Sequence, residues 1–111
     1  KGRGGPEAFA NLTATAAADI YGLPNKGRLA VGMDADITLW DPEKTVTYAE
    51  NDLHDNVGYN PWEGYSITGW PTDVWLRGQH IVQSGTFHAI PGSGRMIDRP
   101  ALAVPLTAPQ T

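Results

Sequence analysis

Gly27-Arg28-Leu29-Ala30-Val31-Gly32-Met33-Asp34-Ala35-Asp36-Ile37-Thr38-Leu39-Trp40-Asp41 is where the chain changes its period. Ala35, Ile37 and Leu39 alternate with Asp36, Thr38 and Trp40, the repeat of a strand with one face turned to a core. Gly32 permits a turn ahead of it, Asp34 can accept backbone hydrogen bonds at the strand entrance, and Ala35 leaves room for close packing. Asp41-Pro42 is expected to close the run as a turn.

Upstream the period is helical. Phe9, Leu12, Ala16, Ala17 and Ile20, with Tyr21, recur at three- and four-residue steps, while Glu7, Asn11, Thr15 and Asp19 fall on the other side. Pro6 suits the first helical position and Glu7 opposes the positive end of the helix dipole. Gly22 ends the run and Pro24 prevents its resumption, so a helix is predicted over residues 6–21, with an apolar stripe that needs a partner surface.

Downstream, Thr45 to Ala49 reads as a second short strand, joined to the first closely enough for antiparallel pairing. Residues 50–71 are polar and turn-rich and read as a long ordered loop, with Tyr65 to Thr68 a candidate strand inside it. Val74–Leu76 and His80–Val82 flank Arg77-Gly78-Gln79, in which Gly78 can supply the positive φ of a tight hairpin. A further turn at Gln83-Ser84-Gly85 leads to Phe87, after which repeated Pro and Gly predict an extended arm.

The 111 residues suffice for one core and not two. Apolar residues make up 41% and charged residues 18%, which excludes a disordered acidic tail. The formal charge is −4 and the basic residues are scattered, so nothing prepares a surface for nucleic acid. There is no cysteine, which fits a cytoplasmic protein and removes thiolate metal chemistry, and no apolar run approaches the roughly 20 residues of a membrane span. Lys1-Gly2-Arg3-Gly4-Gly5 has neither an initiator Met nor an apolar stretch behind its charge, and is expected to be a cut through a longer chain rather than a secretory signal.

Few residues invite chemistry. His54, His80 and His88 offer neither a His-x-His pair nor the i, i+4 pair of a helical zinc site. His54 is expected to be an exposed loop residue bonded to Asp55, as against a contact residue at a subunit or domain boundary. Asp34, Asp36 and Asp41 lack the spacing of a calcium loop and are expected to be fixed by backbone hydrogen bonds. Gly2-Arg3-Gly4-Gly5 and Gly92-Ser93-Gly94-Arg95 lack the Lys-Ser/Thr ending of a phosphate loop and read as connectors. Trp62, Tyr65, Trp70 and Trp75 are read as packing and interface residues in preference to a stacking platform for a ring ligand.

The stretch from Gly27 to Asp41 resembles a motif of the amidohydrolase superfamily. Leu12-Thr13-Ala14-Thr15 through Ala18, Ile20-Tyr21-Gly22-Leu23 and Lys26-Gly27 is similar to the last barrel helix and exit of dihydropyrimidinases and hydantoinases. Asn60-Pro61-Trp62-Glu63-Gly64, Gly69-Trp70-Pro71, Leu76-Arg77-Gly78 with Ile81-Val82, and Pro91-Gly92-Ser93-Gly94-Arg95 follow in that branch's order. The resemblance implies a mixed fold: residues 1–23 the terminal helix of a (β/α)8 barrel, 24–88 strands and loop of a small β-sandwich, 89–111 an extended C-terminal arm.

It also implies a parent hydrolase that opens ring C–N amide bonds of dihydropyrimidines, hydantoins or related cyclic imides with a divalent metal, Zn or Mn. The metal ligands of that family, His residues, a modified Lys and an Asp, would precede residue 1, so no catalytic, cofactor-binding or metal-binding residue is assigned to this chain. The implied partners are the barrel of the same enzyme and further copies in a homotetramer. The competing expectation is a non-catalytic β-rich binding or oligomerisation module descended from such an enzyme.

Overall fold

The computed structural model describes residues 4–100. They fall into two compact units, one of residues up to 36 together with those from 91, the other Ile37–Ile90.

The first unit opens with α1 (Pro6–Ala10), widens into a π-helical turn at Asn11–Thr15, and resumes as α2 (Ala16–Tyr21). The predicted span is met, but the wide turn in its middle is not visible in a hydrophobic period. It accompanies hydroxyl competition for the ladder: Thr13 Oγ1 donates to the Phe9 carbonyl at 2.7 Å, and Thr15 Oγ1 donates out of the helix to the Gly27 carbonyl at 2.6 Å. Gly22 is left-handed at φ 67, and the Leu23 and Gly22 amides turn back to the Ala18 and Asp19 carbonyls at 2.9 and 3.3 Å. Those two bonds satisfy carbonyls that the helix end would otherwise leave open.

Inside this unit the helix packs through its small residues. Ala18 is buried at 3% exposure, and Gly27 comes so near that a Cβ there would lie 2.5 Å from the Ala18 Cβ. The large apolar residues point elsewhere: Leu12 and Ile20 are each 74% exposed. The long aliphatic side chains of the stripe that called for a partner, Leu12 and Ile20, thus stay open within this unit.

The second unit is a four-stranded antiparallel meander in the order β1 (Ile37–Thr47), β2 (Ser66–Leu76), β3 (Gln79–Gln83), β4 (Thr86–Phe87). Two sequence expectations are corrected here. Asp41-Pro42 does not end a strand, because β1 continues past it to Thr47 and both halves pair with β2. The ladder runs from Asp41↔Trp70 to Thr45↔Thr68, so residues 42–44 bulge out opposite Gly69 alone. Asp41 Oδ1 accepts the Glu43 and Lys44 amides at 2.9 and 3.2 Å, which is how N–H groups freed by the bulge are satisfied. Gly69, at φ 95, adopts the backbone that lets β2 pass the bulge.

The loop expected over 50–71 is likewise shorter, since β2 absorbs Ser66 to Pro71. Pro71 is tolerated beside a register shift, with Trp40 opposite it and Leu39 already paired with Asp73. What remains between the long strands is a 3-10 turn at Glu50–Asp52 and a loop pinned by the buried Asn60, whose amide donates to the Ala49 carbonyl at 3.2 Å while its Oδ1 accepts the Trp62 amide at 2.9 Å.

The hairpin is where the sequence placed it. Arg77 and Gly78 take φ 48 and 81, and Ser84 and Gly85 repeat the pattern at 47 and 81. Positive φ at both central residues matches the strand twist, which makes such two-residue turns good connectors. Residues 88–100 carry a turn at Pro91-Gly92 and no helix or strand, and residues 101–111 of the expected arm lie outside the described residues. No described helix is long and apolar enough to cross a membrane.

Asp41→Ala is expected to cost about 1 kcal/mol, the usual value of hydrogen bonds of this kind, and to lower the thermal midpoint by roughly 4–8 °C. Calorimetry of the two proteins checks this, and an unchanged midpoint would show that the bulge does not depend on its carboxylate.

Candidate functional site

The three histidines are each accounted for separately. His54 lies against Phe87, ring centroids 5.3 Å apart, in place of the expected bond to Asp55, whose Oδ1 accepts the Val57 amide at 3.1 Å. His80 stacks on Trp75 at 4.2 Å with only 8° between the planes, and its Nε2 meets Asp73 Oδ1 at 2.9 Å. His88 makes a backbone bond from its amide to the Ile81 carbonyl at 2.7 Å. Among the described residues no three His, Cys, Asp or Glu side chains gather as a metal site would require.

Asp73 instead ties β2 to β3 and to the turn that follows β3. Its Oδ1 also accepts the Ser84 amide at 3.2 Å, while the Gly85 amide donates to the Thr72 carbonyl at 2.8 Å. The Ser84 amide first, then the Thr72 hydroxyl and His80, hold the Asp73 carboxyl below its usual value of 3.8. A lowered folded-state pKa means stability that is present above pH 3.8 and is lost as pH falls through the folded value. Asp73→Asn is expected to flatten the acid side of the stability curve below that pH. Denaturant melts at stepped pH check it, and a slope identical to that of the parent would count against the carboxylate's role.

The other charged arrangement lies in the first unit. Lys26 Nζ contacts Asp34 Oδ2 at 2.7 Å and Asp36 Oδ2 at 2.5 Å, with the lysine side chain only 15% exposed. The Asp34 amide donates to the Asn25 carbonyl at 3.0 Å, so backbone and side chain tie residues 25–26 to residues 34–36. Asp34 and Asp36 thus share an ammonium group, which the expectation of backbone donors did not include, while Asp41 meets that expectation. Reading the sequence did not single out Lys26 for this role. The signal was available in an Asp-x-Asp pair separated from a lysine by a glycine-punctuated turn.

The aromatic residues do not form one platform. Trp70 meets Tyr48 edge-on at 5.7 Å and Trp75 stacks on His80, while Trp62 and Tyr65 are 58% and 64% exposed. Taken together, these arrangements hold turns, bulges and a connector in place. They present no nucleophile beside a base and no open ligand set.

A helix turning through a glycine-rich, charge-clasped connector into an antiparallel sheet agrees with the comparison to known families. The amidohydrolase family matches residues 3–81, and the chain belongs to that family. Within it the chain is hydantoinase-like. It is 42% identical to D-hydantoinase of Rhizobium radiobacter over 92 residues, which is 82% of this chain and 20% of that protein. It is 39% identical to D-phenylhydantoinase of Escherichia coli O7:K1 over 106 residues, covering 95% of this chain and 23% of the relative. The crystal structure of dihydropyrimidinase from Brevibacillus agri NCHU1002 superposes with a TM-score of 0.85 at 38% identity, over 94% of this chain and 23% of the other. The chain therefore spans about a fifth of the length of the curated relatives it matches, 20% for the first of them.

Proposed function

We propose that this chain is the C-terminal structural and oligomerisation portion of a cyclic amidohydrolase of the hydantoinase and dihydropyrimidinase kind. The parent hydrolyses ring C–N amide bonds of dihydropyrimidines, hydantoins or related cyclic imides. The observation that carries the reading is the continuous likeness from helix through connector to sheet, at 39% identity over 106 residues, to enzymes several times as long.

In this reading residues 1–23 are the last helix of a (β/α)8 barrel, 24–88 the strands and loop of a small sandwich, and 89–111 an arm used in a cytoplasmic homotetramer. The open stripe of Leu12 and Ile20 supports the first assignment, because an apolar helix face of that kind is stable only when covered. The residues present do not fit the divalent Zn or Mn that the parent reaction calls for. His80 is committed to Asp73 and Trp75, His54 to Phe87, and Asp34 and Asp36 to Lys26. No step of ring opening is assigned to them, and the ligands belong to the barrel.

The test is catalytic. A protein of these 111 residues, supplied with Zn²⁺ or Mn²⁺, is expected to leave hydantoin and dihydrouracil unopened, whereas the same segment joined to an upstream barrel turns them over. Metal-dependent ring opening by the segment alone would overturn the reading. A stable, inactive monomer that gains nothing from the barrel would favour an independent binding module.

A further inference from the structure

We draw no further inference here: the strongest candidate, the exposed aromatic patch of Tyr59, Trp62 and Tyr65 on the loop between the 3-10 turn and β2, faces outward with nothing in the structure to show what covers it.

Discussion

Replacing Gly27 with alanine is expected to destabilise the protein by about 2–4 kcal/mol, the sum of overpacking and of strain at a positive φ. The two contributions have separate sources. Gly27 sits at φ 90, where a side chain is poorly tolerated, and the added Cβ would lie 2.5 Å from the Ala18 Cβ and 3.0 Å from the Ala14 carbonyl oxygen. Neither neighbour can yield cheaply, since one belongs to Ala18, the single buried apolar residue among the described residues, and the other is helix backbone. Thr15 also donates to the Gly27 carbonyl, so displacing this backbone loosens the helix as well. Gly32 is the matched control: its φ is 88 and a Cβ there meets nothing within 4 Å. Gly32→Ala is expected to cost only about 1 kcal/mol, the backbone share alone. Equal losses of thermal stability in the two variants would refute close packing at Gly27.

Lys26→Met is the second large change, expected to cost about 2–3 kcal/mol. That lies below the range for a fully buried pair because the partners are about one-third exposed and water screens part of the charge. The methionine keeps most of the stem's packing and removes the ammonium, taking from the carboxylates of Asp34 and Asp36 the cation they share. Its hydrogen bonds to Asp34 and then Asp36 raise the lysine above its usual 10.5. A raised folded-state pKa gives stability that is complete below 10.5 and is lost as pH climbs through the folded value. Chemical denaturation between neutral pH and the alkaline limit should show that loss in the parent and its absence in Lys26→Met. A variant that keeps the parent's alkaline slope would place the titration elsewhere.

How much of this was legible in the chain depends on distance along it. The helix limits could be read because Pro6, Gly22 and Pro24 act locally, through fixed φ, a left-handed residue and a missing donor. The hairpin at Arg77-Gly78 was equally local. The long strands were not, because Asp41-Pro42 and Gly69-Trp70-Pro71 each carry turn chemistry by themselves. Only their placement opposite one another across the ladder, with Gly69 facing the bulge, lets both strands continue. The tie from the helix to the connector was hidden for a similar reason, since the Thr15 hydroxyl meets a carbonyl twelve residues on.

For the candidate site the same division holds. The absence of a His-x-His spacing was evident in the sequence, but the pairing of His80 with Asp73 required β2 and β3 to be laid side by side. Lys26 gained its meaning only once the connector folded back and brought Asp34 and Asp36 to its ammonium group.

The most direct measurement is a calorimetric titration of this chain with Zn²⁺ and Mn²⁺, read with metal content after dialysis. Only weak, non-saturating heats and a metal-free protein are expected if the hydrolytic centre lies in the barrel. A stoichiometric ion retained through dialysis, and released by alanine at His54, His80 or His88, would contradict that placement.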